Sequence, residues 1–148
     1  MEEDPLTGLL SRRGWEHALE QEVARAEADD SPFALTLALL DIDKMSEFNN
    51  AHGVEAGDLM LAELADKLRQ TCRPTDCIAR VGGEEFGVLL LGRSRPQVDA
   101  LLSRLRVNLP AKPTCSVGVA HWHRSETAEQ LVVRADEALY EAKRRRHD

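Results

Sequence analysis

Hydrophobic positions along the chain repeat with a period that changes from block to block. After a polar opening, Met1 to Gly8, the pattern turns helical from Ser11, with Trp15, Leu19 and Val23 on one face and acids on the other. Asp29-Asp30-Ser31-Pro32 ends that helix, because proline and the residue before it disfavour continuing it. Phe33 to Leu40 is almost continuously apolar and short for a buried helix, which predicts a central strand covered on both faces. Asn49-Asn50-Ala51-His52-Gly53 reads as a polar break. From Leu59, the spacing of Leu61, Leu64, Ala65, Leu68 and Cys72 predicts an amphipathic helix, with Asp58 near its start, where capping alone would explain an acid. Strand-like residues around Ile78 and Val81, and again from Phe86 to Leu91, flank Gly82-Gly83. That is the signal of a tight hairpin whose turn takes positive φ at glycine.

Pro96 suits the first turn of a helix that carries Val98, Leu101, Leu102 and Leu105 on its buried side. Pro110 to Pro113 is a short break before a strand from Thr114 to Ala120. Thr127 and Gln130 then stand at capping-box spacing, ahead of a helix through Leu131, Ala135, Leu139 and Ala142. Without the outer helices, the order is β-α-β-β-α-β, an α+β, ferredoxin-like core. Its helices are expected on one face of a mainly antiparallel sheet, with additional helices around it. This topology puts the first strand beside the hairpin and brings Asp41 towards Glu84.

With 148 residues, no internal repeat and no linker, residues 1–148 form one domain, of which 1–14 are a lead-in and the start of the first helix. The composition, 43% hydrophobic and 30% charged, is that of a soluble globular protein, and no stretch has the length or flanks of a membrane span or signal peptide. The expected location is the cytoplasm, without membrane contact. Cys72, Cys77 and Cys115 are odd in number and lack C-x-x-C spacing, which argues against a disulfide framework or a zinc site. A net charge of −7 argues against a nucleic-acid polymer as partner but not against a small nucleotide held through a metal ion.

Two groups of acids change the picture. Asp41-Ile42-Asp43 closes a strand predicted to be buried, where a carboxylate is costly unless paired, hydrogen-bonded or metal-bound; Lys44 is one possible partner. Glu84 and Glu85 directly follow the glycine turn, which needs no acid. Either this is a solvated acidic turn, or a cation lies near it and the bare glycine backbone leaves room for a phosphate chain. Carboxylates from both segments suit Mg²⁺, which takes oxygen ligands and fills its remaining positions with water and phosphate. From the residues alone, metal-dependent nucleotide chemistry and a structural sheet domain both stay open.

Six blocks in order and spacing go further: Asp4-Pro5-Leu6-Thr7-Gly8-Leu9, Asp41-Ile42-Asp43, Gly57-Asp58, Arg80-Val81-Gly82-Gly83-Glu84-Glu85-Phe86, Ser116 to Ala120 and Ala135 to Lys143. Together they resemble the GGDEF diguanylate cyclases over essentially the whole chain. The resemblance implies a nucleotide-cyclase and polymerase-palm-like fold, and an enzyme that condenses two GTP into cyclic di-GMP with release of two pyrophosphates. Asp41, the Ile42 carbonyl and Glu84 would hold Mg²⁺ or Mn²⁺. Glu84 would also be the candidate general base for the 3′-hydroxyl, and Glu85 would help bind a second ion. Gly82 and Gly83 would admit the phosphates, amides around Lys44, Met45 and Ser46 would cradle them, and Lys143 would contact them. Asn49 and Asp58 match the guanine-reading positions. Arg73 and Asp76 match an inhibitory site for the product; the plainer reading is a local surface ion pair. Each domain would hold one GTP, so catalysis would need a homodimer. The resemblance further implies a regulatory domain, expected to lie outside this chain.

The sequence departs from the family pattern at Ser46, where a lysine is usual, at Asn50 for an aspartate, at Val54 for a histidine and at Arg146-His147 for a Gly-Arg pair. The segment before Thr114 is also short. Loss of the lysine implies reduced activity, and with it the alternative of a weak or inactive domain that acts as a cyclic di-GMP receptor through Arg73 and Asp76.

Overall fold

A computed structural model describes residues 2–31, 34–109 and 113–147. Pro32, Phe33 and Pro110, named above as punctuation and strand start, lie outside the described residues, as do the side chains of Arg146 and His147. The elements run α1 (Arg12–Glu27), β1 (Leu35–Ile42), α2 (Met45–His52), α3 (Val54–Thr71), β2 (Cys77–Arg80), β3 (Glu85–Leu91), α4 (Arg95–Asn108), β4 (Cys115–His121) and α5 (Ala128–His147). The strands form one sheet in the order β2-β3-β1-β4, with every neighbouring pair antiparallel. This is the predicted ferredoxin-like topology.

Every residue of β1 is buried, because it is a central strand covered on both sides. Alternation sends Ala38, Leu40 and Ile42 towards α3 and α4, where they pack with Leu61, Leu68, Val98 and Leu105. Leu35, Leu37 and Leu39 point the other way, to Trp15 and Leu19 of α1 and to Leu131, Ala135 and Leu139 of α5. The helices of the core therefore share one face as expected, while α1 and α5 bury the other.

Helix ends follow the chemistry read from the sequence. The Ser11 hydroxyl accepts from the Gly14 amide at the start of α1. Thr127 and Gln130 exchange both bonds of a capping box before α5, at 2.9 and 3.1 Å. Two expectations need correction. Asn49 to His52 is not a break but the second half of α2, and His52 packs on Phe48 one turn earlier, with ring centroids 4.6 Å apart and planes tilted by 44°. Gly53, at φ 93°, makes the break alone, and α3 starts at Val54, ahead of the apolar stripe. No described helix is long and apolar enough to cross a membrane.

β4 and α5 meet backbone to backbone at Gly118. A Cβ there would lie 2.2 Å from the Leu139 amide nitrogen and 2.6 Å from the Ala135 carbonyl oxygen. Gly118→Ala is therefore expected to cost about 1–3 kcal/mol in urea unfolding, the usual range for overpacking. A midpoint equal to the wild type's would mean that α5 moves away freely.

Candidate active site

The sheet places β1 between β3 and β4, so Asp41 faces Glu85 on one side and Ser116 on the other. The Ile42 amide donates to the Glu84 carbonyl at 3.2 Å, which joins the end of β1 to the acidic turn. The Asp41 side chain points to the α1 and α5 side, where Lys143 Nζ lies 2.6 Å from Oδ2. Its Oδ1 is buried and has no hydrogen-bond partner among the described residues. Asp43 does different work: it accepts from the Thr114 and Ser116 hydroxyls, each at 2.7 Å, and ties the strand end to β4. Lys44 pairs with neither acid. It is exposed, at φ 55°, in the N-cap position of α2, and gives that helix no side-chain cap. The amides of the first turn, from Met45 and Ser46, thus form a helix N-terminus of the kind that suits phosphate.

The turn between β2 and β3 runs from Val81 to Glu84, longer than the two-residue hairpin expected. Neither Gly82 nor Gly83 is at positive φ, so the primed-turn reading is corrected too. The Val81 and Gly82 amides both donate to the Glu85 carbonyl, at 2.9 and 3.2 Å. A Cβ on Gly83 would meet nothing within 4 Å. Its missing side chain therefore leaves a surface open rather than permitting a conformation.

Two arginines that sequence reasoning left out of the site hold this turn. Arg12 donates to the Val81 carbonyl at 2.9 Å, and Arg80 donates twice to the Gly83 carbonyl, at 2.8 and 3.2 Å. Arg80 also pairs with Asp4 at 3.3 Å. Burial alone would raise the Asp4 pKa, but its bonds from the Thr7 hydroxyl and amide and the Arg80 charge hold it below the usual range. The signal for Arg80 was its place on the same β2 face as Ile78, one residue before the turn; Arg12 carried none.

Charge accumulates beside the turn. Burial and then the Asp41 carboxylate raise the Glu84 pKa, opposed by Lys143. Burial, followed by Asp136 and Asp41, raises Glu85, opposed by Lys143 and Arg12. Burial alone would lower the Lys143 pKa, but its hydrogen bond and ion pair with Asp41, helped by Asp43 and Glu84, raise it. Asp136 of α5 adds its charge to that of Glu85; in the sequence it stands only within the Ala135 to Lys143 block, with no role of its own. Among the described residues no three His, Cys, Asp or Glu side chains are grouped as metal ligands. The residues present nonetheless fit one divalent cation: an orphaned Asp41 oxygen, a Glu84 carboxylate that feels the Asp41 charge, and the nearby Ile42 backbone.

On the other side of the turn, Met45, Ser46, Asn49, Asp58, Leu61, Arg80, Gly83 and Glu84 line a cleft of about 310 Å³. Of the predicted site residues, the cleft gathers Met45, Ser46, Asn49, Asp58, Gly83 and Glu84, while Asp41, Ile42, Lys44, Gly82, Glu85 and Lys143 are not among its lining. Asp58 is exposed inside α3, past its first turn, so helix capping does not explain it.

A model described as "Diguanylate cyclase, GGDEF domain" matches residues 1–148. The chain belongs to the GGDEF domain family. It is 44% identical to the diguanylate cyclase DgcP of Pseudomonas aeruginosa over 98% of its own length and 23% of the relative's. It is 39% identical to the diguanylate cyclase DgcM of Escherichia coli, over 95% of this chain and 35% of that protein. It thus spans well under half of either relative. Among solved structures it is similar to the GGDEF domain of DgcB from Caulobacter crescentus in complex with c-di-GMP. There the TM-score is 0.89, with 29% identity over 97% of this chain and 90% of the other. A sensory box/GGDEF family protein from the same organism matches at TM-score 0.83 and 36% identity, over 97% and 99% of the two chains.

This GGDEF domain places Arg73 and Asp76 at the edge of the sheet, away from the acidic turn. Arg73 is exposed and lines a cleft of about 460 Å³ with Arg69, Cys72, Cys77 and the Gly8 to Leu10 segment. Arg69 also bonds the Thr7 carbonyl. Asp76 belongs to the protein interior. Its carboxylate accepts from the Arg73 and Leu91 amides at 2.8 and 3.2 Å and pairs with Arg93 at 2.8 Å. The plainer reading, a surface pair between Arg73 and Asp76, does not hold, because Asp76 pairs with buried Arg93 instead. All three cysteines are free thiols; burial and then Asp76 push Cys72 up to about 11, and burial and then Asp43 push Cys115 up to about 12.

Proposed function

We propose that this domain condenses two GTP into cyclic di-GMP and two pyrophosphates. The observation that carries the reading is the cleft itself, which Asn49 and Asp58, the uncapped start of α2 at Met45 and Ser46, and Gly83 and Glu84 line together. Asp58 offers a carboxylate to guanine N1–H and N2–H₂, donors that adenine lacks there. The Met45 and Ser46 amides face the phosphates, and Gly82 and Gly83 leave room for them. A divalent ion held by Asp41, Glu84 and the Ile42 carbonyl would stabilise charge on the triphosphate and acidify the 3′-hydroxyl. Glu84 accepts the proton of that hydroxyl as its oxygen attacks the α-phosphate of the other GTP; the bond to pyrophosphate breaks. Glu85 adds negative charge for a second ion, and Lys143 turns from Asp41 to the phosphates.

Each domain holds one GTP, so two copies face each other across a two-fold axis during reaction, and a partner domain would control that encounter. Product inhibition would use the exposed Arg73, whose guanidinium forks onto guanine or phosphate. Asp76 would act from beneath by fixing the Arg73 backbone rather than by touching the product.

Incubation with GTP and Mg²⁺, followed by chromatography for cyclic di-GMP, tests the reading; no product at high protein concentration would sink it. Ser46 is exposed at the rim of the cleft and supplies no positive charge. Ser46→Lys is expected to raise turnover by about tenfold, since a cation aimed at developing phosphate charge is worth at least that much. Unchanged turnover would show that another group already stabilises that charge.

A further inference from the structure

Gly57 lies within the first two turns of α3 and is buried, although glycine in a helix costs about 1 kcal/mol relative to alanine. A Cβ at this position would stand 1.9 Å from Asn49 Oδ1, 2.9 Å from Asn49 Cγ and 2.9 Å from Met45 Cε. The amide oxygen of Asn49 is buried against this bare stretch of helix and has no hydrogen-bond partner among the described residues. Leaving such an oxygen unpaired costs free energy, so the side chain is held there by its surroundings rather than drawn there by a bond. With Oδ1 tucked against α3, the other end of the planar carboxamide, Nδ2, is what Asn49 offers to the cleft it lines. Nδ2 is a donor, and the O6 and N7 edge of guanine accepts.

We propose that Gly57 is a positioning residue for base recognition: its missing side chain lets Asn49 lie flat on α3 and present a donor to guanine beside the Asp58 acceptor. Gly57 thereby sets the preference for guanine over adenine without touching the nucleotide. The inference rests on reading the cleft as the guanine site. Adenine carries an amino group where guanine carries O6, so a displaced Asn49 loses more with GTP than with ATP.

The test compares wild type, Gly57→Ala, Asn49→Ala and the double variant for KM, turnover at saturating GTP, and inhibition by ATP. In Gly57→Ala, KM for GTP is expected to rise about tenfold and the preference for GTP over ATP to fall about tenfold, with saturated turnover within about threefold. In the Asn49→Ala background, adding Gly57→Ala is expected to change KM less than about twofold, because the group it displaces is already gone. A full second loss in that background, or an unchanged KM in Gly57→Ala, overturns the proposal. If Gly57→Ala folds poorly, Asn49→Ala is expected to restore folding, and no recovery overturns it as well. A wild-type preference for GTP that Asn49→Ala abolishes and Gly57→Ala leaves intact overturns this inference alone. No wild-type preference at all removes the guanine site and the inference together.

Discussion

Glu84→Gln is expected to lower cyclic di-GMP formation at least about a thousandfold while leaving the fold intact. Glutamine keeps the shape and one acceptor oxygen but neither takes the proton of the 3′-hydroxyl nor offers a charge to a divalent ion. Both proposed roles of Glu84 thus disappear in one substitution. Stability should not suffer, because Glu84 is only partly buried and its charge is opposed by Asp41 nearby. A melting temperature equal to or slightly above the wild type's is therefore expected beside the lost product peak. Turnover within tenfold of wild type would remove Glu84 from both roles and point to Glu85 instead.

The largest expected loss of stability lies elsewhere, at Arg93→Ala, with about 3–5 kcal/mol in urea unfolding. The Arg93 and Asp76 side chains are 4% and 0% exposed, so the substitution strands a carboxylate where water cannot reach it. Two backbone amides still donate to Asp76, from Arg73 and Leu91, and keep the loss from being larger. The consequence reaches function, because the Arg73 loop hangs on that carboxylate. A loss below about 1 kcal/mol would mean that Asp76 is solvated or neutral once Arg93 is gone. Arg73→Ala, which removes an exposed side chain, is the matched control.

Much of this was legible because burial is total or because spacing is local. β1 could be read from its unbroken apolar run, since both of its faces meet helices. α4 and α5 announced themselves through Pro96 and through Thr127 with Gln130. The β-α-β-β-α-β order, in turn, brought Asp41 towards Glu84 before any geometry was known. What failed to show was conformation without a stripe. α2 buries only Met45, so its polar second turn looks like a loop, and Gly53 hides the start of α3 because it caps without a side chain. Contacts between distant segments were equally silent. Nothing near Asp76 names Arg93, nothing in α1 marks Arg12 for the Val81 carbonyl, and the Ala135 to Lys143 block does not single out Asp136. The glycine turn was misread for a related reason. Gly82-Gly83 looks the same whether it supplies left-handed backbone or open space, and here it supplies space.

The contact between Gly118 and α5 sets a position along an axis. Leu139, whose backbone touches that glycine, lies one helical turn before Lys143 on the same side of α5. Sliding the helix by a single residue would move Lys143 by about 1.5 Å, enough to break its 2.6 Å contact with Asp41. A hydrogen atom in the place of a methyl group, two residues along β4 from Ser116, is thus the index mark that aligns the lysine with its carboxylate.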